Sequence, residues 1–324
     1  SAVHYMENGQ FGPTMWYHPN LRNILIYWIG NLFGYGNYSL RGVSLISGIL
    51  SIPVVYILVY VLTKNKIASL LSAFLLSVEQ VHITFSRQAI QETWTTFFFL
   101  VGVLLTVLYI QKDKPLLMIF SGIVFGLGIS SKFHALFPLL TCLGAGLYIS
   151  WKERSLSKGI FVFSCLTFVP AIIYLLTFLP WFDRGYGIAD WVQMQKSLFV
   201  KMTTHKGFPM DQVIDTSAWQ WFLRPMGYTN FVYFEDRPFL TIAFSNPFVW
   251  LMVIPSTAYM ISFLRRHESI TPDIRRGTLF LILLFIISYL PLSMSTQPIW
   301  LLSSLATIPF TFMIVSLAIS KWIK

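Results

Sequence analysis

Apolar residues run along this chain in blocks of about 20, separated by short polar punctuation. At 1.5 Å of rise per residue, such a block is long enough to cross a bilayer as a helix. About nine blocks are readable, near 43–63, 67–86, 92–111, 115–130, 135–151, 159–180, 246–264, 277–294 and 298–320. Only helices or closed barrels satisfy every backbone polar group in lipid, and the ten-residue alternation of a barrel strand is absent. The pattern predicts an all-α polytopic membrane protein with about nine transmembrane helices in one domain, residues 1–324. Two long segments, 1–42 and 181–245, interrupt it.

Composition agrees: 55% of residues are hydrophobic, 17% aromatic and only 11% charged, where a soluble domain carries about 25% charged residues. Mean hydropathy is +0.65. The net charge of +10 is a matter of topology. Alternate turns hold Lys64 and Lys66, Lys112 and Lys114, Lys152, Arg154 and Lys158, Arg265, Arg266, Arg275 and Arg276, then Lys321 and Lys324. By the positive-inside rule these turns are cytoplasmic, which places 1–42 and 181–245 outside, with the plasma membrane as the location. No basic patch interleaved with aromatics suggests a nucleic acid partner. Cys142 and Cys165 lie inside predicted spans, read as small helix residues, and build neither a disulfide framework nor a metal site.

Residues 1–42 show no signal peptide and no preceding span, so the topology predicts at least one transmembrane helix ahead of Ser1. The other external segment, about 65 residues long, is polar, aromatic and broken by Gly and Pro; connections of that length are usually functional. Its stretch WVQMQKSLFVKM fits a short amphipathic helix on the membrane surface.

Cations collect at the ends of the spans on the external face: Arg41 before its span, Arg87 between two spans with Glu92 after it, Lys132 in ISSKFHALF, His18 and Arg22 in HPNLRN, and Arg224 in the large loop. Any one interfacial Lys or Arg is more often a snorkelling anchor than a ligand, and a pair such as Trp219 and Trp221 is more often an aromatic belt. Together, against the positive-inside trend and with the spans reading as free of mid-helix ionisable residues, they point to a phosphate at headgroup depth. Glu92 is expected to orient Arg87.

These residues resemble motifs of the protein O-mannosyltransferases, membrane enzymes of the C-type glycosyltransferase fold. His18-Pro19-Asn20-Leu21 is similar to an HPPL element, and Phe33-Gly34 leading to Ser39-Leu40-Arg41 to the opening of a span. Ser86-Arg87 with Glu92 resembles an SR turn with a following acid, and GIVFGLGISSKF a glycine-rich span ending in a lysine. Ser217, Trp219, Trp221 and Arg224-Pro225 resemble a W-x-W…RP element, and Asn246-Pro247 an NP pair that opens a span. Asn20 stands where the family has proline, Glu92 where aspartate is usual, and Phe222 where proline is usual. The family's acidic pair belongs just ahead of YMENGQFGP, hence before Ser1. The short large loop suits a bacterial or archaeal member.

The resemblance implies transfer of mannose from a polyprenyl-phosphate sugar to Ser or Thr hydroxyls of a secreted or membrane protein, with inversion and without a cofactor or divalent metal. It implies donor-phosphate binding by Arg41, Arg87, Lys132 and His18, with a pocket for acceptor or sugar formed by Trp219, Trp221, Arg224, His205 and Gln195. The catalytic base is expected upstream of Ser1, with Glu92 as a supporting acid. A lipid or glycan acceptor, a multi-span transporter or flippase, and a non-catalytic lipid-phosphate-binding subunit are the other readings. The transporter would need charges at mid-span.

Overall fold

The computed structural model describes residues 18–204, 218–222, 227–234, 237–266, 270–294 and 301–323, with residues 3, 6 and 7. Its helices are α1 (Leu21–Phe33), α2 (Asn37–Thr63), α3 (Lys66–Val78), α4 (Gln80–Ser86), α5 (Gln91–Lys112), α6 (Pro115–Ser131), α7 (Leu136–Lys152), α8 (Leu156–Leu176), α9 (Leu179–Phe182), α10 (Ile188–Thr204), α11 (Pro247–Arg266), α12 (Pro272–Ser293) and α13 (Ile308–Trp322). Over the described residues, each apolar block of the sequence carries helix. Among the described residues six helices are long and apolar enough to cross a membrane alone: α2, α5, α7 with the turn before it, α8, α11 and α12. Helices α3 and α4 make a seventh only as a pair bent by 58°, and α6 and α13 are apolar but shorter. The chain is a multi-pass membrane protein whose membrane part is all-α.

Three features differ from the sequence reading. Segment 1–42 contains α1 and the first turn of α2. Segment 181–245 contains α10, where an amphipathic helix was expected, but also an antiparallel hairpin of β1 (Gly227–Phe234) and β2 (Arg237–Phe244), in register from Gly227↔Phe244 to Phe234↔Arg237. GYTNFVYF and RPFLTIAF are rich in the aromatic and β-branched residues that favour strands. The block 67–86 is interrupted at Glu79, and both Glu79 and His82 are buried within it, so ionisable residues do occur inside a span.

The residues cluster into two compact units, 1–47 with 89–206 and 48–88 with 207–324. In the first unit α6 packs between α5 and α8. Lipid offers helices no hydrophobic gain on pairing, so close approach and buried hydroxyls hold them together. On one side of α6, Ser121 Oγ lies 2.8 Å from Thr106 Oγ and donates to the Gly102 carbonyl at 2.8 Å. On the other, Gly122 and Gly126 let α8 approach. A Cβ on Gly122 would strike the Cys165 carbonyl oxygen, and one on Gly126 would lie 2.7 Å from Ile173 Cβ. Cys142 and Cys165 are free, buried helix residues.

The turns after α5 and α7 are tight. Asp113 (φ 51°) and Arg154 (φ 54°) reverse the chain in the left-handed region, uncommon for residues with a Cβ. Lys158 Nζ reaches Asp113 at 2.9 Å and Glu153 at 3.0 Å, so these basic turns share one end of the unit. The first turn of α5 lies at the other end, about 30 Å away along the helix.

In the second unit α13 is buried on nearly all sides, as a helix apolar all round must be, and packs against α3 and α11. Asn65 caps α3 by accepting from the Ala68 amide and donates to Ser320 Oγ at 2.8 Å. Asn246 caps α11, its Oδ1 accepting from the amides of Phe248 (3.1 Å) and Val249 (3.4 Å), with Pro247 at the first helical position.

The glycine contacts predict that Gly122→Ala destabilises the protein by about 1–3 kcal/mol, because the new methyl must push α8 away. Gly144, with nothing within 4 Å of its added Cβ, accepts Ala without loss. Thermal unfolding of the two variants in detergent checks this; equal midpoints would remove close helix approach as the explanation.

Candidate functional site: a buried charge cluster

The far end of α5 from the basic turns is where charge is buried. Helix α5 starts at Gln91 after extended Ile90, and Thr95 and Thr96 return their hydroxyls to the carbonyls of Gln91 and Glu92. This first turn holds Glu92 inward. Helix α6 arrives at the same place and stops: the Lys132 amide closes on the Gly128 carbonyl while Lys132 itself is extended. Glycine at 128 leaves room for the chain to fold back, since an added Cβ would lie 3.0 Å from Ala135 Cβ.

Lys132 Nζ then donates to Glu92 Oε1 at 2.7 Å, with both side chains 8% exposed. Taking one partner from such a pair strands the other charge, at a cost of about 3–5 kcal/mol.

His18, Arg22 and His134 lie within Coulombic reach of this pair. The His18-Pro19-Asn20 turn and the start of α1 bring the first two, and Arg22 Nη2 extends 3.5 Å to the Ala89 carbonyl beside the start of α5. Burial holds the His18 imidazole down to about 4; Lys132 and Arg22 add to that, and Glu92 opposes it. His18 is therefore neutral at pH 7, and its Nδ1 is buried with no hydrogen-bond partner among the described residues. With His18 neutral, Lys132 and Arg22 set two cations against the one carboxylate of Glu92, a net positive charge suited to an anion.

An aromatic surface leads away from it. Phe133 follows Lys132 and lies 5.9 Å, ring to ring, from Tyr174. Tyr174 contacts Phe178 and Trp191, and its hydroxyl donates to Gln195 Oε1 on α10 at 2.8 Å. Gln195 Nε2 and Trp191 Nε1 are buried donors without a partner among the described residues.

Of the residues expected from sequence, the first unit thus gathers His18, Glu92 and Lys132, and joins Gln195 to the adjoining aromatic surface. The carboxylate of Glu92, expected to orient Arg87, is engaged by Lys132. Arg41 is exposed in the second turn of α2 in the first unit, and Arg87 is exposed at the C-terminus of α4 in the second. Trp219 and Trp221, read as equivalent, differ: Trp219 is 51% exposed, whereas Trp221 is 1% exposed and packs edge-on against Trp250 at 5.6 Å. His205 and Arg224, with Ser217 and Pro225, lie outside the described residues. Sequence reasoning missed His134 and Tyr174. His134 stands two residues after Lys132 and was within reach of the same motif; Tyr174 sits in an apolar span and gives no local signal. Among the described residues no group of three or more metal-ligating side chains forms.

The sequence model of a family described as dolichyl-phosphate-mannose-protein mannosyltransferase matches residues 3–185, more than half of the chain. Comparison with curated protein sequences gives no match. Among solved structures the chain is similar to ArnT from Cupriavidus metallidurans in its apo state, with 13% identity and a TM-score of 0.57, covering 98% of this chain and 53% of that one. ArnT bound to undecaprenyl phosphate superposes with a TM-score of 0.58 at 13% identity and the same coverage. The archaeal oligosaccharyltransferase AglB from Archaeoglobus fulgidus, in complex with an inhibitory peptide and a dolichol-phosphate, gives 0.54 at 13% identity, covering 98% of this chain and 45% of that one. The chain therefore spans about half the length of these structures, and the likeness establishes the fold. With motifs, fold and family match in agreement over the residues that build the charge cluster, the chain belongs to the dolichyl-phosphate-mannose-protein mannosyltransferase family.

Proposed function

We propose that this chain forms the membrane-embedded part of a glycosyltransferase that moves mannose from a polyprenyl-phosphate donor to Ser or Thr hydroxyls of proteins, with inversion, at the external face of the plasma membrane. The observation that carries the reading is the buried Glu92–Lys132 pair with Arg22 and His18 beside it, at the end of α5 opposite the basic turns. The ligands of the structural neighbours, undecaprenyl phosphate in ArnT and a dolichol-phosphate with an inhibitory peptide in AglB, support a lipid-phosphate substrate and a protein acceptor.

The chemistry follows from charge. As the sugar leaves, negative charge grows on the lipid phosphate, and fixed cations stabilise it most where water is excluded. Lys132 and Arg22 supply that charge in the cluster, and the family resemblance adds Arg41 and Arg87 as further ligands of the phosphate. Glu92 holds the Lys132 ammonium in place, so it is a positioning group. The proton of the attacking hydroxyl goes to another carboxylate, which the family resemblance puts in the acidic pair ahead of Tyr5. Neutral His18 accepts or donates one hydrogen bond to the phosphate through its open Nδ1 without adding charge. The rings of Phe133, Tyr174 and Trp191 offer a stacking surface for the sugar, and Gln195 Nε2 and Trp191 Nε1 offer donors to its hydroxyls. A lipid or glycan acceptor is the second outcome of the test below.

Membranes carrying the full-length protein, given radiolabelled polyprenyl-phosphate mannose, are expected to place label in protein, released by β-elimination. Label in lipid or glycan would move the acceptor, and no label in any fraction would overturn the donor or catalysis. The Lys132→Met/Glu92→Leu double variant removes the pair without stranding a charge, and transfer is expected to fall at least about 100-fold with the protein still folded. An active double variant would remove the cluster from the mechanism.

The histidine adds a pH effect. Its pKa is about 4 folded and 6.5 unfolded, so its contribution is complete above pH 6.5 and is lost as pH falls towards 4. Unfolding midpoints at pH 7.5 and pH 5 should differ less in His18→Asn than in the parent protein, and an unchanged difference would contradict a buried neutral imidazole.

A further inference from the structure

The second unit buries a carboxylate that the transfer chemistry does not use. Glu79 sits at the break between α3 and α4, is 2% exposed, and among the described residues has no ion-pair partner. A carboxylate buried in the apolar part of a membrane chain is costly, so what it binds identifies its role. Glu79 Oε1 accepts from the backbone amide of Asn246 at 3.3 Å, and the next side chain, Gln80 Oε1, accepts from the amide of Phe244 at 3.3 Å. Phe244 is the last residue of β2, and Asn246 is the cap of α11. These two bonds therefore hold the point where segment 181–245 returns to the membrane helices. One turn further on, His82 Nε2 lies 3.2 Å from the Gly48 carbonyl, tying α4 to α2. Helix α4 is thus fixed on two sides, and Arg87 is its C-cap.

We propose that Glu79 and Gln80 form a latch that seats the β1–β2 hairpin and the Asn246-Pro247 turn on the short helix presenting Arg87, so that the returning loop and this cation keep one fixed spacing. The catalytic part of the idea rests on the mannosyl transfer proposed above, together with the roles the family resemblance implies: Arg87 for the donor phosphate and the large loop for the acceptor. Glu79 is then a positioning residue. Its carboxylate acts as an acceptor of a backbone hydrogen bond, not as an acid or base. Loss of the latch frees the loop relative to Arg87 and weakens acceptor engagement, leaving donor binding unchanged.

The test uses the full-length protein in lipid nanodiscs, with Glu79→Ala, Gln80→Ala and Glu79→Gln compared. Glutamine keeps an oxygen for the Asn246 amide. Hydrogen exchange is expected to quicken about ten- to a hundredfold at Asn246 in Glu79→Ala and at Phe244 in Gln80→Ala, and to stay near the parent rate at Asn246 in Glu79→Gln. In the transfer assay, KM for a Ser/Thr-rich peptide should rise in the two alanine variants, with KM for polyprenyl-phosphate mannose unchanged. Gln80→Ala keeps the buried carboxylate and serves as the check should Glu79→Ala not fold. Protected amides in the alanine variants, or fast exchange in Glu79→Gln, overturn the latch. Fast exchange with unaltered acceptor KM overturns its part in transfer. If the parent protein transfers no mannose, the function proposed above fails, while the exchange rates still decide the latch.

Discussion

A lysine and a glutamate 40 positions apart can be buried in a membrane protein only if they meet, and in the first unit that requirement orders the surrounding chain. Glu92 must lie at the very start of α5 and Lys132 at the very end of α6, so the hairpin between them has a set length and register. The glycines of α6 serve the same end, because the helix has to run close beside α8 to deliver Lys132 to that depth. Once the pair is formed, the turn after it points Phe133 at Tyr174, and α1 brings His18 and Arg22 into its field. The charge cluster and the aromatic surface are consequences of one contact.

The second unit solves a different problem with the same material. Here a buried carboxylate finds backbone amides in place of a cation, and the helix carrying it is broken so that its oxygen can reach them. The backbone of Glu79 still bonds within the helices on both sides of the break, so its side-chain oxygen is left for the Asn246 amide. Just past that break His82 ties the second piece to α2 through the Gly48 carbonyl.

Much of this was legible in the sequence. Hydropathy alone located the longer membrane helices, because the bilayer sets their length and forbids alternatives. The basic turns were legible too, and Lys158 binding Asp113 and Glu153 shows two of them sharing an end. Pairing was harder to read. Glu92 stands five residues from Arg87 and 40 from Lys132, so proximity in sequence suggested the wrong partner for its carboxylate. Helix α1 escaped because LRNILIYWIGNLF is too short to register as a span, and the hairpin because its strands lie in a segment read as loop. Glu79 was masked by the apolar residues around it: a single acid in a long hydrophobic block looks like noise until its bond to Asn246 is seen.

The two-residue link between α5 and α6 bears on how the protein is made. Helix α5 ends at Lys112 and α6 begins at Pro115, with Asp113 reversing the chain. A link that short obliges α6 to run back antiparallel beside α5. A two-residue link lets the pair enter the bilayer as one helical hairpin, in which the contact of Thr106 with Ser121 keeps both hydroxyls from facing lipid. Lengthening that link would uncouple the two insertion events and expose α6, the shorter helix, to being left on the wrong side of the membrane.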